Sequence, residues 1–213
     1  MTEGARELMT DIQLSRQQRK RAEKISQLEH VAARMFAERG FEAVGFEDIG
    51  ATLDLRGPSL YHYFSSKEEL FLACIRQSAK EVANRLHAIC EAGAEPMETL
   101  RALFEEQVII ELRDYPEYVP LFFKLYVPSS EIRMEILSLR RAQAEIFENT
   151  VRSAFGLAPH QRLIHQRVAL EVAFGALAYL PEWYRPDGEL SVDEIAKTMG
   201  ESLVAQFIKL RCS

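Results

Sequence analysis

Apolar residues recur at intervals of three and four through most of this chain, which is the spacing that places them on one side of an α-helix. No stretch alternates apolar and polar residues over a length that requires a β-strand, and no segment repeats at a fixed period. Eight prolines divide the periodic segments, because proline cannot continue a helix from within. The sequence therefore predicts an all-α fold.

The first predicted helix is also the clearest. Ser15 and Gln18 have the spacing of a capping box, in which each side chain bonds a free backbone amide at a helix start. The helix is expected to end near Arg39, since Gly40 supplies the left-handed residue that often follows a helix. Its buried stripe is predicted to contain Ile25, Leu28, Ala32, Met35 and Phe36.

Proline, glycine and capping residues predict nine helices in all. Ser66 with Glu69 and Ser191 with Glu194 form two further capping boxes. Residues 1–14 are predicted to be a disordered N-terminal arm. The predicted helices cover residues 15–39, 46–53, 58–64, 66–89, 96–113, 117–126, 130–155, 160–180 and 191–210.

Charge is distributed unevenly, although the formal net charge is -6. Residues 16–24 contain five basic side chains and a single acidic one. Binding of nucleic acid depends on local Lys and Arg that neutralise phosphates, and the mean charge of the chain does not decide it. The sequence therefore predicts a basic N-terminal module on an acidic body, with candidate DNA contacts at Arg16, Arg19 and Arg21.

Two short helices, separated by a turn at residues 54–57, follow the first long helix. Packed together against that helix, such a pair forms a helix-turn-helix, which places its second helix in the major groove of DNA. Each short helix has one i, i+4 apolar edge to bury: Ile49 with Leu53, and Leu60 with Phe64. We call residues 46–64 the reading element.

The outward side of the second short helix is polar and aromatic. Its side chains are donors for phosphate oxygens and base edges. The candidates are Ser59, Tyr61, His62 and Tyr63, with Lys67 adding a positive charge one turn later. In the alternative interpretation, Tyr61 and Tyr63 are half-buried core residues of an ordinary helical hairpin.

The order Gly40-Phe41-Glu42, then Asp48-Ile49, then SLYHYFSSKEEL from Ser59 to Leu70, closely resembles the N-terminal signature of the TetR family of transcriptional regulators. This resemblance covers about residues 20–70. It implies a helix-turn-helix DNA-binding domain at 15–66 and a ligand-binding and dimerisation domain at 67–213.

The resemblance also implies individual roles. Residues that resemble the family's phosphate contacts are Tyr61, Tyr63 and Lys67. Base contacts are expected at Gly57, Pro58, Ser59 and His62. The chain departs from the family at the cap of the second helix, where it has Val44 and Gly45, and at Arg56, where we expect a direct phosphate contact instead of a hydroxyl cap.

Residues 96–155 are rich in aromatic and aliphatic side chains, which commonly line small-molecule pockets, although core packing explains them equally well. The candidate ligand contacts are Phe104, Val108, Tyr118, Phe122, Phe123, Tyr126, Phe147, Phe174 and Trp183. The linker from Trp183 to Ser191 resembles one in TetR members that sense acyl-CoA or other lipid-derived effectors. Arg133, Arg140 and Arg141 are placed either to meet an anionic head group or to pair with nearby glutamates.

The half-sites of a palindromic operator lie about 34 Å apart, so a short reading helix needs a second copy on the same duplex. Small residues between 168 and 180 allow helices to approach closely: Ala169, Ala173, Gly175, Ala176 and Ala178. The resemblance implies a homodimer through the last two helices. In the alternative interpretation these helices only complete the core of one chain.

Several other classes of protein do not fit the sequence. The five histidines have no metal-ligand spacing, no catalytic motif is present, and Cys74, Cys90 and Cys212 are widely separated, so we predict no enzyme, metal or cofactor. The apolar runs are too short for a membrane span of about 20 residues, and the N-terminus lacks a signal-peptide pattern. We therefore predict a cytoplasmic protein that does not enter a membrane.

The functional prediction is a ligand-responsive transcriptional regulator, a repressor that binds double-stranded DNA as a homodimer and is released by a small, largely apolar effector. A TetR-like helical protein that binds a ligand or partner but no longer binds an operator is the alternative.

Overall fold

The computed structural model describes residues 16–124, 126–127, 129–158, 160–161 and 164–211, with side chains from Gln18 onward. Two π-helical turns, π1 (Ile110–Asp114) and π2 (Pro120–Lys124), lie between the fifth and sixth α-helices. The described part of the chain contains no strand, which confirms the all-α prediction. The α-helices are α1 (Arg16–Arg39), α2 (Phe46–Thr52), α3 (Gly57–Leu60), α4 (Lys67–Glu91), α5 (Pro96–Ile109), α6 (Ser130–Ala154), α7 (Ile164–Ala178), α8 (Leu180–Trp183) and α9 (Val192–Arg211).

The N-terminal helices follow the sequence pattern closely. The predicted stripe of α1 is buried, apart from the partly buried Ile25, and Gly40 follows the helix with a φ of 86°. Asp54 turns the chain between α2 and α3 with a φ of 53°, a conformation that Asp tolerates better than most residues. The predicted arm at 1–14 and the predicted cap at Ser15 lie outside the described residues.

The third helix is shorter than predicted. Regular α3 ends at Leu60, and hydrogen-bonded turns continue from there, with the amide of Phe64 donating to the Leu60 carbonyl at 3.0 Å. The side chains of Leu60 and Phe64 are buried as predicted, and so is Ile49 on α2, whereas Leu53 is half-buried. The reading element therefore rests on the apolar edges that its spacing predicted.

Serine caps begin α4 and α9. Ser191 forms the full predicted capping box, since its hydroxyl accepts from the Glu194 amide at 3.3 Å and its own amide donates to the Glu194 carboxylate at 2.9 Å. Ser66 accepts from the Glu69 amide at 3.1 Å, but the Glu69 carboxylate bonds the amide of Ser65 instead. The capping box predicted at α4 is therefore only half formed, because its second hydrogen bond goes to the amide of the preceding residue.

The segment between α5 and α6 differs most from the prediction. The α-helix predicted at 96–113 widens at Ile110 into π1, and the helix predicted at 117–126 is reduced to π2, where Pro120 has no amide hydrogen to donate. Residues 160–161 of the helix predicted at 160–180 are not helical, the described helix α7 covers Ile164–Ala178, and Tyr179 interrupts the prediction before Pro181 in the first turn of α8. The widened turn π1 carries the buried side chain of Glu111.

The core of the C-terminal part is formed where α9 packs along α5 and α5 packs against α6. Phe104 on α5 lies between Phe147 on α6 and Phe207 on α9, with ring centroids 5.4 and 6.2 Å away. All three side chains are fully buried. Among the described residues, no helix combines the length and the apolar character needed to cross a membrane.

Candidate DNA-binding face and effector cavity

The reading element presents a compact polar face. Tyr61 is 61% exposed and lies edge-on to Phe46 of α2, with ring centroids 4.8 Å apart. Pro58 and His62 are exposed beside it, and Ser59 is half-buried. Because the opposite edge is buried, these side chains are held outward by a fixed support. This arrangement matches the outward set predicted from the sequence.

Positive charge surrounds this face. The Arg21 guanidinium lies 5.6 Å from the centre of the half-buried Tyr63 ring, which connects α1 to the reading element. Arg19 and Arg56 are exposed, and neither has a hydrogen bond or ion pair with any described residue. Arg56 precedes α3 and does not cap it with its side chain. The side chain of Arg16, a further predicted DNA contact, lies outside the described residues.

Gly57, where the resemblance implies a contact with a base, is buried against α2. A Cβ atom at this position would lie 3.1 Å from Cγ and 3.2 Å from Cα of Glu47. The close approach of α3 to α2 therefore favours glycine here, and the contact with a base stays a prediction.

Lys67 has a partner within the chain. Its ammonium donates to the Phe41 carbonyl at 2.9 Å and lies 4.4 Å from the centre of the Phe41 ring. This contact holds the loop between α1 and α2, and the phosphate contact of Lys67 stays a prediction.

The cap that α2 lacks is replaced by a carboxylate. No hydroxyl stands at Gly45, but the Asp48 side chain accepts a hydrogen bond from the Gly45 amide at 2.9 Å. Asp48 and Glu47 also place negative charge in the first turn of α2, where the helix dipole favours it. The departure from the family pattern at Val44 and Gly45 therefore leaves the start of α2 supported.

A cavity of about 420 Å³ opens in the C-terminal part, between α6 and α7 and above the junction of α5 with π1. We call it the effector cavity. Its apolar walls include Leu137 on α6 and, on one side of α7, Leu170, Phe174 and Leu177. Its polar lining includes Gln107, Glu111, Tyr118, Arg140 and Gln143.

The polar groups at the base of this cavity form one chain of hydrogen bonds. The Tyr118 hydroxyl donates to Oε1 of Gln143, and Nε2 of Gln143 donates to Oε1 of Gln107 at 2.8 Å. Nε2 of Gln107 donates in turn to Oε1 of Glu111 at 2.7 Å. The second carboxyl oxygen of Glu111 is buried and has no partner among the described residues. Burial raises the pKa of Glu111 to about 7, against a smaller lowering by the bond from Gln107.

The predicted ligand contacts divide into three groups. Tyr118, Phe123 and Phe174 line the cavity. Phe104, Val108, Phe122 and Phe147 do not, because they are buried in the core. Tyr126 and Trp183 lie elsewhere, exposed on the surface. Core packing, the alternative explanation, therefore accounts for four of the nine candidates.

Sequence reasoning missed Gln107, Glu111 and Gln143. A signal was present, since Gln107 and Glu111 are an i, i+4 polar pair that flanks the apolar run from Val108 to Ile110. Among the arginines considered, Arg140 and Arg141 reach the cavity, and Arg133 instead bonds the Val127 carbonyl at 2.8 Å. No group of three or more possible metal-binding side chains occurs within the described ranges.

Comparison with protein families decides the identity of this fold. Residues 30–74 match the model described as bacterial regulatory proteins of the tetR family. Residues 93–207, more than half of the chain, match the tetracyclin repressor-like C-terminal domain. The chain belongs to the TetR family. The match spans both the reading element and the effector cavity, so the resemblance stated from the N-terminal signature is confirmed.

Individual TetR relatives are similar over most of their length. The repressor KstR2 of Mycolicibacterium smegmatis is 24% identical over 192 residues, which cover 83% of this chain and 86% of KstR2. A TetR/AcrR-family regulator from Thermobifida fusca is 28% identical with a TM-score of 0.65, covering 85% of this chain and 97% of that one. AibR, solved with isovaleryl coenzyme A and operator DNA, shares the fold at 22% identity and a TM-score of 0.71, covering 84% and 97%. KstR2 and the Thermobifida fusca protein are named as a transcriptional repressor and a transcriptional regulator, and together with the family match they confirm the prediction of a regulator and not an enzyme.

Proposed function

We propose that this TetR-family regulator is a repressor that binds a palindromic operator as a homodimer and is released by a small, largely apolar effector. The observation that carries the proposal is the exposed face of Tyr61 and His62, held outward by the buried edge of Leu60 and Phe64. Arg19, Arg21 and Arg56 supply charge for the flanking phosphates. In this proposal Tyr61 and Tyr63 position the helix, while Pro58, Ser59 and His62 contact bases.

The surface of α7 supports a homodimer. Ile164, Val168 and Val172 are each more than half exposed and lie four residues apart, so they form one apolar stripe along the helix. Gly175 continues the stripe with open space around it, and Ile208 on α9 is 50% exposed. A contiguous exposed apolar surface commonly marks an interface. We propose that α7 and α9 pair with their copies across a two-fold axis.

The effector cavity supports the release mechanism because it touches a segment that also contacts α1. Glu111 lies on π1 at the cavity, and Tyr115, directly after π1, lies against His30 of α1 with ring centroids 6.4 Å apart. π2 packs against α1 as well. An effector that shifts π1 would therefore shift α1 and the reading element on it. Such coupling is typically about 1 to 3 kcal/mol and is reciprocal between the two ligands.

The effector we propose is an acyl-CoA or another lipid-derived compound. The cavity combines apolar walls on α6 and α7 with polar and charged groups, among them Arg140, so it suits a compound with an apolar body and an anionic group. The shared fold with AibR, which was solved with isovaleryl coenzyme A, supports the same class of compound.

The DNA face is tested by binding of duplexes selected from a random pool, measured by fluorescence anisotropy over a range of salt. Tyr61→Phe should weaken every duplex similarly, by about 1 kcal/mol, whereas His62→Ala should change which base pairs are preferred. Tyr126→Phe and His87→Ala are matched controls, because both residues are exposed away from the reading element. Native mass spectrometry should give two chains per duplex.

Two results would contradict the proposal. Failure of the wild-type chain to bind any duplex in a salt-dependent way would favour the alternative of a TetR-like ligand-binding protein. Retained base preference in His62→Ala would contradict the base contact. For release, isovaleryl and decanoyl coenzyme A are the first probes. A probe that binds with equal affinity in the presence and absence of the selected duplex is not coupled to DNA binding.

A further inference from the structure

Glu111 is unusual because only one of its two carboxyl oxygens accepts a hydrogen bond from a described residue. The side chain is only 3% exposed, and Oε2 has no hydrogen-bond partner among the described residues, although the residue lines the effector cavity. A buried acceptor without a partner loses its hydration without replacement, which is destabilising. Such a group in a native protein calls for an explanation, and the cavity beside it has room for a ligand group that supplies the missing donor.

The hydrogen bonds around Glu111 all run in one direction. Tyr118 donates to Gln143, Gln143 donates to Gln107, and Gln107 donates to Oε1 of Glu111. The carboxyl group is therefore the last acceptor of the chain, and its orientation is fixed by residues from α5, α6 and the segment after π1. Among the described residues, Oε2 is the one buried side-chain polar atom that has no hydrogen-bond partner.

Arg140 places a positively charged guanidinium in the lining of the same cavity. Its guanidinium lies 4.2 Å from the centre of the Phe123 ring and has no ion pair with any described residue. The other two arginines of the lining are paired, Arg141 with Glu145 at 3.6 Å and Arg167 with Glu171 at 3.7 Å. Arg140 is thus the cavity cation whose charge is left for a ligand.

The same cavity also has apolar walls. Leu137 lies one turn before Arg140 on α6, and Leu170, Phe174 and Leu177 face it from α7 at helical spacing. A ligand that satisfies the cavity must therefore combine a hydrogen-bond donor, an apolar body and a negative charge.

We propose that the effector is an anionic, largely apolar molecule carrying an alcohol group, whose hydroxyl donates to Oε2 of Glu111 while its anion binds Arg140. This inference rests on the proposed function, because it takes the cavity to be the effector site. A hydroxyl suits Glu111 in either protonation state, since it can donate to a carboxylate and accept from a carboxylic acid. The anion is either the carboxylate of a free acid or the phosphates of a coenzyme A ester.

Two matched acids test the role of Glu111 by isothermal titration calorimetry. 10-Hydroxydecanoic acid should bind the full chain about 10-fold or more tightly than decanoic acid. The hydroxyl of the first acid donates to the buried carboxyl oxygen of Glu111, whereas decanoic acid leaves that oxygen without a partner. In Glu111→Met this ratio should fall to about one. Glu111→Gln, which keeps the bond from Gln107 and exchanges the free oxygen for an amide, should lower the ratio at least about threefold and covers the case that the Met variant does not fold.

Arg140 is tested with Arg133, on the same helix, as its matched control. Arg140→Gln should weaken both acids by about 10-fold and keep the ratio between them, whereas Arg133→Gln should change neither affinity, because Arg133 lies outside the cavity lining and bonds the Val127 carbonyl. Coenzyme A esters of the same two acids form the other arm. The arm with the tighter binding identifies the anion.

Three results would overturn the inference: equal affinity for the two members of each pair, no binding in either arm, or a ratio that survives in both Glu111 variants. Its failure is distinguishable from failure of the proposed repressor. If the hydroxylated compound binds selectively but the selected duplex is not released, the ligand inference holds and the release mechanism fails. If another compound releases the duplex while the pairs bind equally, the repressor holds and the role of Glu111 fails.

Discussion

The reading element and the effector cavity differ in how their polar side chains are exposed and supported. At the reading element, Tyr61, His62 and Arg56 are exposed, and their support is a buried apolar edge behind them. In the cavity, Tyr118 and Glu111 are buried, and their support is a chain of hydrogen bonds through two glutamines. The DNA face thus leaves its donors in water, whereas the cavity fixes its polar groups before a ligand arrives.

The difference indicates which of the two regions loses stability by holding its polar groups in place. Exposed donors lose little when no DNA is bound, because water satisfies them. A buried, ionised carboxyl group lowers the free energy of unfolding until it is protonated or a ligand donates a hydrogen bond to it. The cavity is therefore expected to be the region where an isosteric change alters stability most strongly, and the reading element the region where exposed side chains can be changed with little effect on the fold.

The largest expected effect is that of Glu111→Gln on the free energy of unfolding. The folded-state pKa of Glu111 is raised from 4.5 to about 7, so between these values the folded chain holds a proton that the unfolded chain has released. The contribution of this group to stability is therefore fully present below pH 4.5 and is lost as the pH rises through 7, by about 3 kcal/mol. The variant carries no such charge and should be more stable than wild type at pH 8, with a smaller difference at pH 5.

Urea denaturation between pH 5 and pH 8, at one fixed protein concentration, measures this difference. Glu145→Gln is the matched control, because Glu145 lines the same cavity but is exposed. Its effect should stay within about 0.5 kcal/mol at every pH. Parallel pH profiles for wild type and Glu111→Gln would show that burial of the carboxyl group does not limit stability.

The sequence predicted the reading element well and the cavity poorly. The reading element lies within one short stretch of chain, so helical spacing alone identified its buried edge and its outward set. The cavity is assembled from α5, π1, α6 and α7, and its polar base depends on contacts such as that between Gln107 and Gln143. Single-sequence periodicity cannot place side chains on different helices beside one another. It therefore found aromatic residues typical of a pocket but could not separate Phe174, in the lining, from Phe147, in the core.

Two contacts within the DNA face were not predicted, for a similar reason. Gly57 and Lys67 were assigned by resemblance, and in the free chain they lie against Glu47 on α2 and Phe41 in the preceding loop. Both contacts join different elements. The π-helical turns were not predicted either, because an α-helix and a π-helical turn bury similar apolar residues and differ only in their backbone hydrogen bonds.

The next effect is expected at the turn of the reading element. A Cβ atom at Gly50 would lie 2.8 Å from the Leu55 carbonyl oxygen and 3.2 Å from the Gly57 amide nitrogen, and backbone atoms cannot move aside as a flexible side chain would. Gly50→Ala should therefore destabilise the chain by about 2 kcal/mol and weaken duplex binding by displacing α3 from α2. Ala51→Ser, at the exposed neighbouring position, should change neither property. Wild-type duplex affinity in Gly50→Ala would mean that α3 does not need this close approach to α2.

The smallest expected effect separates two cations at the edge of the reading element. Lys67 is engaged with the carbonyl and ring of Phe41, whereas Arg56 has no partner among the described residues. Lys67→Ala should lower the free energy of unfolding by about 1 kcal/mol and leave the salt dependence of duplex binding unchanged, because its ammonium already has a partner in the loop. Arg56→Ala should do the reverse, keeping stability within about 0.5 kcal/mol and reducing the slope of log affinity against log salt by about 0.9, the value for one phosphate contact. A slope that falls equally in both variants would instead support the phosphate contact that the resemblance implies for Lys67.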